Sequence, residues 1–260
     1  MALNLDWNRF RHKSVLITGA TGMLASYMVE TLMMLNRSHG LGCRVIGLVR
    51  SPEKAKKRFA DHILDPFLTF VHADVSLGIP VDHRCDFIIH AASHASPKYF
   101  GSDPVGTMSS NLNGTWHALC LAREWSSEGF LFFSSSEVYG QAMQTPTRED
   151  DYGWLDILAP RSCYAESKRA AETLAVSFAC QHAVPATIVR PYHSYGPGMA
   201  LDDGRVFADL VRNIIEGGSL VLHSDGSSRR AFCYISDAVS GFFTVLLKGQ
   251  PGRAYNVGNP

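Results

Sequence analysis

Tyr164 and Lys168 form the pair whose types and spacing suggest chemistry most directly. Lys168 follows Tyr164 by four positions, and on a helix this spacing places both side chains on one face. An ammonium group beside a phenol favours the phenolate and so lowers the pKa of the phenol. A phenolate can take the proton from a hydroxyl group while a hydride leaves the same carbon. Solvated helix faces also carry this spacing, so the pair needs support from the rest of the chain.

A second polar group follows residues 130–134, an apolar segment with the composition of a buried strand. Ser135, Ser136 and Glu137 come at its end. Open α/β sheets bind ligands at the carboxyl ends of their strands. A serine hydroxyl there can hold a substrate oxygen, and a carboxylate can move a second proton. The alternative is that the serines cap the loop and that Glu137 is a surface charge.

Residues 15–25 have the pattern of a strand, a tight glycine turn and the start of a helix. Gly19 allows the turn, Gly22 lets a pyrophosphate approach the backbone, and the small Ala25 lets the helix pack on the strand. The helix N-terminus offers free N–H groups and the positive end of the helix dipole to phosphates. The pattern predicts a dinucleotide site, and the plainer alternative is a strand–helix turn that simply favours glycine.

The end of the second predicted strand, residues 44–49, is where the 2′ position of a dinucleotide is recognised. An acidic residue there binds the ribose hydroxyls of NAD, whereas a basic residue tolerates the phosphate of NADP. Here Arg50 follows the strand, which favours NADP unless the side chain packs on the adenine or faces water. Asp74, after the third predicted strand, is either an acceptor for the adenine amino group or a turn residue.

Short apolar segments alternate with helical patterns over the first 190 residues. This alternation predicts an α/β fold with a doubly wound, Rossmann-like parallel sheet, in which residues 1–190 form an NAD(P)-binding domain. Beyond residue 190 glycine, proline, aspartate and serine become more frequent, so residues 191–260 are predicted to form a smaller substrate-binding lobe, interleaved with that domain. Because the chain stops just after a strand-like segment, residues 254–257, we expect C-terminal residues to be missing. The predicted strands are residues 15–18, 44–49, 68–72, 87–90, 130–134 and 186–190, and the predicted helices are residues 23–36, 106–125 and 164–182.

Charge and cysteine content argue against several classes of function. Lys and Arg total 24, and so do Asp and Glu, so the basic surplus typical of nucleic-acid-binding proteins is absent. The six cysteines are scattered without a CxxC pair, which argues against a zinc site or a disulfide scaffold, and no metal site is predicted. The apolar runs are too short to cross a bilayer, and the N-terminus lacks the pattern of a signal peptide. We therefore expect a cytoplasmic protein with no nucleic-acid or membrane partner.

Together these motifs resemble the extended short-chain dehydrogenases/reductases, the NAD-dependent epimerase/dehydratase proteins that act on nucleotide sugars. The resemblance covers essentially the whole chain. It is carried by the glycine turn, by residues 134–140, by the Tyr164–Lys168 pair and by residues 190–197, in the order found in that family. Residues 159–164, 203–206 and 225–234 are most similar to the UDP-glucuronate decarboxylase branch.

The resemblance implies roles for the matching positions. The catalytic residues would be Ser135, Ser136, Glu137, Tyr164 and Lys168. The dinucleotide would contact Gly19, Thr21, Gly22, Met23, Leu24, Arg50, Asp74, Val75, Ala91, Ala92, Ser93, Tyr164, Lys168, Tyr192 and His193. The nucleotide-sugar substrate would contact Ser135, Ser136, His193, Arg205 and Arg230, with the two arginines on its diphosphate. Asn111 would be the structural asparagine of the fourth helix, and pairing through helices 106–125 and 164–182 would give a homodimer.

The reaction class depends on Ser136. The family chemistry begins with transient oxidation of the sugar C4 hydroxyl, and dehydratases place an aspartate at this position to protonate the departing C6 hydroxyl. Serine is a poor general acid at neutral pH. Decarboxylation of a C6 carboxylate needs no such acid, and neither does epimerisation, so decarboxylation ranks first and epimerisation next. The remaining alternatives are a 4,6-dehydratase, an NADPH-dependent ketoreductase and a non-catalytic protein that senses NAD(P).

Three positions depart from the family pattern. Ala25 replaces the third glycine of the turn, a small change. His193 replaces an asparagine beside the expected substrate, which leaves the sugar open. Arg50 replaces the acidic residue of NAD-using relatives. The cofactor is therefore NAD or NADP, with Arg50 favouring NADP and the resemblance favouring NAD.

Overall fold

The computed structural model describes residues 5–220 and 230–259. Its strands are β1 (Ser14–Thr18), β2 (Arg44–Val49), β3 (Leu68–His72), β4 (Phe87–His90), β5 (Gly129–Phe133), β6 (Ala186–Pro191), β7 (His193–Tyr195), β8 (Phe232–Tyr234) and β9 (Ala254–Val257). Its helices are α1 (Met23–His39), α2 (Pro52–Arg58), α3 (Pro97–Ser102), α4 (Pro104–Glu124), α5 (Cys163–His182), α6 (Val206–Ile215) and α7 (Ile235–Lys248). Short 3₁₀ segments lie at Trp7–Phe10, Ala60–His62, Ser136–Tyr139 and Pro160–Ser162.

Seven parallel strands form the main sheet, in the order β3-β2-β1-β4-β5-β6-β9. β1 lies between β2 and β4, so the chain winds outward in one direction through β2 and β3 and in the other direction from β4 onward. This reversal leaves a crevice beyond the carboxyl ends of β1 and β4, where open α/β sheets bind their ligands. β7 and β8 form a separate parallel pair.

Helices cover both faces of the main sheet. The side chains of β1 alternate between two apolar cores, as the pleat of a strand requires. Val15 and Ile17 pack in one core with α1 and α7, and Leu16 packs in the other with α4 and α5. β1 and β5 are buried along their whole length because they lie inside the sheet. The predicted doubly wound α/β fold is confirmed.

The predicted elements match the structure within a few residues. β2, β3, β4 and β9 have the predicted bounds, β1 and β6 differ from theirs by one residue at one end, and β5 is shifted by one residue toward the N-terminus. α1 begins at Met23 as predicted and continues to His39, where Gly40 ends it in a left-handed conformation with φ 56°. α4 begins two residues before its predicted start, because Asp103 caps it by accepting a hydrogen bond from the N–H of Gly106 at 3.0 Å.

The strands that follow residue 191 belong to two different sheets. β7 and β8 pair with each other beside the cleft, whereas β9 extends the main sheet through pairs such as Ile188 with Ala254. α7 contributes Phe242 and Phe243 to the same core as α1. The substrate-binding lobe of residues 191–260 stays a prediction. Within its described residues, β9 belongs to the main sheet, where it is the edge strand beside β6.

No helix in residues 5–220 and 230–259 is long and apolar enough to cross a membrane. The cytoplasmic location stays a prediction. All six cysteines are free thiols, and within the described residues no three His, Cys, Asp or Glu side chains are grouped as metal ligands.

Gly19 is the position in the turn after β1 where a side chain does not fit. Its φ is +65°, in the left-handed region, and a Cβ there would lie 2.7 Å from the Cα of Ala92. The neighbour is backbone, so it cannot turn aside as a flexible side chain would. Gly19 is therefore required by its conformation and by the close approach of the loop that follows β4.

Gly19→Ala should cost more stability than Gly40→Ala, the matched control. Both positions have positive φ, but among the described residues nothing lies within 4 Å of a Cβ at Gly40. We expect the free energy of unfolding, measured in urea, to fall by about 1 kcal/mol for Gly40→Ala and by at least about 2 kcal/mol for Gly19→Ala. Equal losses would show that the loop after β4 does not constrain the turn.

Candidate active site

A cleft of about 530 Å³ lies along the carboxyl ends of the central strands. It brings together residues from the loops after β1, β2, β3, β4, β5 and β6. The predicted residues that line it are Gly19, Thr21, Gly22, Met23, Leu24, Arg50, Asp74, Val75, Ala91, Ala92, Ser93, Ser135, Ser136, Glu137, Tyr164, Lys168, Tyr192, His193 and Arg205. Arg230 is exposed and is not among the lining residues, and residues 225–229 of the family-like segment lie outside the described residues.

The glycine turn and the start of α1 fit a dinucleotide. Gly22 is the N-cap of α1 and, as a glycine, leaves the first N–H groups of the helix without a side-chain acceptor. The turn at Gly19 has no room for a Cβ, because the backbone of Ala92 lies against it. The buried hydroxyls of Ser93 and Ser134 line the same cleft and have no hydrogen-bond partner within the described parts of the chain. These donors and the helix dipole suit phosphate and ribose groups.

Thr18 holds the loop after β4 against the glycine turn. Its hydroxyl accepts hydrogen bonds from the N–H groups of Ala91 and Ala92, both at 3.2 Å, and lies 2.8 Å from Nδ1 of His90. Since a hydroxyl has one proton, we infer that Thr18 donates it to Nδ1 and that the ring proton of His90 is on Nε2. Burial lowers the pKa of His90 to about 3, with a further contribution from the charge of Lys168. The sequence analysis missed this histidine.

Tyr164 lies near the N-terminus of α5 with its phenol buried beside the cleft. Its ring stacks on Phe100, with centroids 4.7 Å apart. Burial raises the pKa of Tyr164, and a hydrogen bond with Ser135 and the charge of Arg205 oppose the rise. The negative charge of Glu137 adds to it. The phenol is therefore neutral in the protein alone and depends on Ser135 and Arg205 to favour the phenolate.

Lys168 is buried one helical turn beyond Tyr164. Its ammonium donates to the carbonyl oxygen of Phe133 at 2.6 Å and lies 5.9 Å from the centroid of the Tyr164 ring. Burial lowers the pKa of Lys168 to about 7, although the carboxylate of Glu172 opposes this. In the protein without a ligand, burial is the largest effect on the pKa of both Tyr164 and Lys168, so the expected lowering of the Tyr164 pKa by Lys168 stays a prediction.

The turn after β5 presents the three polar residues that the sequence singled out. Ser135 caps a 3₁₀ segment by accepting a hydrogen bond from the N–H of Glu137 at 3.2 Å. Ser136 is half-buried in the lining of the cleft. Glu137 is exposed, and one of its carboxylate oxygens lies 3.9 Å from the guanidinium of Arg161. Arg161 lines the cleft and was not predicted as a site residue.

A buried ion pair holds this turn against α5. Arg190 donates to both carboxylate oxygens of Glu172, at 2.9 and 2.6 Å, and to the hydroxyl of Tyr139 at 2.7 Å. The Tyr139 hydroxyl in turn donates to Asn256 on β9 at 2.7 Å. Because Tyr139 ends the 3₁₀ segment that carries Glu137, these bonds fix the segment relative to the helix of Tyr164.

The other predicted residues differ in how firmly they are held. Arg205 donates to the carbonyl oxygen of Ala95 at 2.9 Å, and its Nε lies 3.3 Å from a carboxylate oxygen of Asp203. Burial lowers the pKa of His193, and the charges of Arg230 and Arg205 lower it further. Arg230 therefore lies close enough to the cleft to act on His193.

Two further predicted residues are held by hydrogen bonds. Asp74 accepts hydrogen bonds from the N–H and the hydroxyl of Ser76, as a turn residue does. Asn111 lies on α4, buried, and donates to the hydroxyl of Ser167 on α5 at 2.8 Å.

The profile of the NAD dependent epimerase/dehydratase family matches residues 15–258. The chain belongs to this family. It is 34% identical over 246 residues to UDP-glucuronic acid decarboxylase 6 of Arabidopsis thaliana, which covers 95% of this chain and 69% of that protein. It is 32% identical over 250 residues to UDP-glucuronic acid decarboxylase 1 of Danio rerio, over 95% of this chain and 57% of that protein. The resemblance derived from the motifs is thereby confirmed.

Solved structures that match this fold include nucleotide-sugar enzymes. The dTDP-glucose 4,6-dehydratase DesIV of Streptomyces venezuelae, with NAD and TYD bound, matches with a TM-score of 0.80 and 25% identity over 94% of this chain and 75% of that one. A UDP-N-acetylglucosamine 4-epimerase of Methanobrevibacter ruminantium matches with a TM-score of 0.82 and 20% identity over 95% of this chain and 77% of that one. The Rossmann-like architecture is confirmed.

Lys168→Met should raise thermal stability relative to the wild type by more at pH 6 than at pH 9 in the ligand-free protein. The unfolded chain keeps the lysine proton up to the ordinary pKa of 10.5, whereas the folded protein loses it near 7. Between these values the unfolded state binds more protons, so the wild type gains stability as pH rises and the methionine variant does not share this gain. The Tm difference, variant minus wild type, should therefore fall from pH 6 to pH 9.

Lys57→Met is the control, because Lys57 is exposed on α2 and its ammonium is solvated in both states. Its Tm difference from the wild type should stay constant over the same range. A constant difference for Lys168→Met would contradict the burial of a charged ammonium at this site.

Proposed function

We propose that the protein is an NAD-dependent enzyme that transiently oxidises the C4 hydroxyl of a nucleotide sugar, and that it decarboxylates UDP-glucuronate or a closely related uronate. The observation that carries the proposal is that Ser135, Tyr164 and Lys168 line the same cleft as the glycine turn. The relatives named UDP-glucuronic acid decarboxylases support the substrate class.

The residues of the glycine turn would hold the dinucleotide. Gly19 and Gly22 would admit its pyrophosphate to the N-terminus of α1, and the unpaired hydroxyl of Ser93 would meet a ribose or phosphate oxygen. When bound, NAD supplies the acceptor for the hydride that leaves C4 of the sugar.

Tyr164 would remove the proton of the C4 hydroxyl. Ser135, which hydrogen-bonds Tyr164, would hold the same substrate oxygen and favour the phenolate. Arg205 favours the phenolate through its charge. Lys168 lies on the same helix face, and its protonated form would stabilise the negative charge that develops on the phenol.

The chemistry after oxidation would depend on the turn after β5. A ketone at C4 makes a C6 carboxylate the acid group of a β-keto acid, so the C5–C6 bond breaks, carbon dioxide leaves, and the electron pair passes to the ketone oxygen. Glu137, exposed beside Arg161, would then pass a proton from solvent to C5. The C4 ketone would take back the hydride while Tyr164 returns its proton to the C4 oxygen, which yields the UDP-pentose and restores NAD. Decarboxylation requires no general acid at Ser136, whereas dehydration requires an acid at this position to protonate the departing C6 hydroxyl.

The cationic side of the cleft would hold the nucleotide diphosphate. Arg205 is the N-cap of α6, and its guanidinium is kept in place by Ala95 and Asp203. Arg230 would approach the same group beside His193, since its charge acts on that ring. Guanidinium groups suit phosphate oxygens because they donate two hydrogen bonds in a fixed fork.

Incubation with UDP-glucuronate and a catalytic amount of NAD tests the proposal. We expect ¹H and ¹³C NMR to show loss of the C6 carboxylate and formation of a UDP-pentose, with no net consumption of NAD. Tyr164→Phe should lower the rate by at least about a thousandfold, because it removes the base, and should leave the affinity for NADH within about twofold. Wild-type turnover by Tyr164→Phe would contradict the assigned base.

Each other outcome of this experiment identifies another reaction. A product with all six carbons and altered stereochemistry would indicate an epimerase, and loss of water would indicate a dehydratase. Steady consumption of NADPH would indicate a ketoreductase. If the protein binds the dinucleotide but converts no nucleotide sugar, it is not this kind of enzyme.

We also propose a homodimer that pairs through α4 and α5. The two helices pack side by side on one face of the sheet, and they leave Met108, Trp116 and Val176 exposed. Trp116 is 51% exposed, and its ring meets Phe178 of α5 edge-on, with centroids 5.5 Å apart. A second copy related by a two-fold axis would cover this apolar surface with the same surface of its own.

Trp116→Arg should convert the dimer to a monomer, because it places a charge at the centre of the proposed interface. Light scattering coupled to gel filtration measures the mass. Leu77→Arg is the matched control, since Leu77 is 87% exposed in the loop after β3 and lies on neither helix. A monomeric wild type, or a dimer that Trp116→Arg leaves intact, would contradict this interface.

A further inference from the structure

Arg50 and His94 are joined by a hydrogen bond across the cleft. Arg50 follows β2 directly, and His94 lies four residues beyond the end of β4. The guanidinium Nη1 of Arg50 bonds Nε2 of His94, and both residues line the cleft. In the sheet β1 lies between β2 and β4, so the bond joins the loops on either side of the glycine turn. The two flanking strands are about 10 Å apart, which the two side chains together can span.

The proton positions of this bond follow from the chemistry of the groups. A guanidinium has N–H donors and no acceptor, so Nε2 of His94 accepts. A neutral imidazole with an acceptor at Nε2 carries its proton on Nδ1. That nitrogen is buried and lies 3.6 Å from a carboxylate oxygen of Asp103, the N-cap of α4. His94 is therefore a neutral ring with its lone pair directed at Arg50.

His94 is held firmly enough to position its partner. Its side chain is only 12% exposed, and its ring packs against Tyr99 of α3, with centroids 4.9 Å apart. The backbone of Arg50 is fixed as well, because His72 of β3 donates from Nε2 to its carbonyl oxygen at 3.0 Å. The long and exposed Arg50 side chain thus joins two anchored points.

We propose that His94 positions Arg50 over the glycine turn, so that the guanidinium binds the pyrophosphate that NAD and NADP share and does not read the 2′-phosphate of NADP. The proposal rests on the proposed function only in requiring that the cleft binds a dinucleotide. It gives Arg50 a different role from the one that its place after β2 suggests.

The direction of the Arg50 side chain supports the pyrophosphate. The 2′ position is read at the end of β2, whereas the guanidinium is bonded to His94, a residue of the loop after β4. Asp74, which follows β3 and lines the cleft, has its pKa lowered by hydrogen bonds from Ser76, against the effect of burial, and by the charges of Arg50 and His94. A 2′-phosphate on this side would meet the carboxylate of Asp74, whereas the pyrophosphate at the start of α1 would meet the guanidinium.

Titration of Arg50→Ala with NADH and with NADPH tests the proposal, with nucleotide fluorescence as the readout and with protein freed of copurified nucleotide. We expect both dissociation constants to rise about tenfold, as for loss of one charge-assisted hydrogen bond, and their ratio to change by less than about twofold. Lys57→Ala removes a positive charge on α2 outside the cleft and should change neither constant. Loss of NADPH affinity alone would show that Arg50 reads the 2′-phosphate and would overturn the proposal.

A pair of substitutions at His94 tests its positioning role. His94→Gln keeps an acceptor for Arg50 and should bind both dinucleotides within about twofold of the wild type, whereas His94→Phe keeps an aromatic ring against Tyr99 without an acceptor and should weaken both by about three- to tenfold. In the Arg50→Ala background the two His94 variants should have equal affinities, because the partner is gone. Wild-type affinity of His94→Phe would overturn the positioning role.

Failure of this proposal is distinct from failure of the proposed reaction. The titrations use no sugar, so a protein that binds dinucleotides and shows the expected losses, but converts no nucleotide sugar, overturns only the reaction. A wild type that binds neither NADH nor NADPH overturns both.

Discussion

One hydroxyl group, that of Thr18, joins the two strands between which the cleft opens. It accepts hydrogen bonds from Ala91 and Ala92 and lies within hydrogen-bonding distance of His90, so the loop after β4 stays against the end of β1. Gly19 fits against that loop because it has no side chain. The hydrogen bonds of Thr18 and the absence of a Cβ at Gly19 therefore fix the turn after β1 against the loop after β4, at the base of the cleft. Residues that follow β2 and β5, and residues of α5, line the same cleft. They can contact a common ligand only because the turn at Gly19 and the loop after β4 leave space for it.

Burial acts on Tyr164 and Lys168 in the same sense, because it penalises whichever form is charged. It raises the pKa of the phenol and lowers that of the ammonium to about 7. The groups that oppose this effect lie on other elements: Ser135 in the turn after β5 acts on Tyr164, as does Arg205 at the start of α6. A tyrosine and a lysine one turn apart are thus not a reactive pair by themselves. Their reactivity depends on the loops that the sheet brings against the helix.

The parts of the site that are local in sequence could be predicted, and the parts that depend on burial or on contacts between loops could not. The turn at Gly19 and the spacing of Tyr164 and Lys168 are visible in a few consecutive residues. The rise in the pKa of Tyr164 could not be predicted, because the spacing of two residues carries no information on their burial. His94 was missed because its partner Arg50 is 44 positions away, and a lone histidine after a strand has many possible roles. The strands of the main sheet were predicted well, since their apolar runs are long enough to identify a buried parallel sheet. Six elements were not predicted: α2, α3, α6, α7, β7 and β8.

Arg50 makes a contact that the positional rule for the residue after β2 does not consider. The rule that the residue after β2 reads the ribose assumes that its side chain stays near its own strand. That assumption holds for a short carboxylate, which can reach only the ribose hydroxyls beside it. An arginine is long enough to cross to the next loop, and its position is then decided by whichever acceptor is most firmly fixed there. His94, packed on Tyr99 and beside Asp103, is such an acceptor. Under the proposal for Arg50, the residue type after β2 does not by itself determine cofactor preference, because its hydrogen-bond partner lies on the other side of the glycine turn.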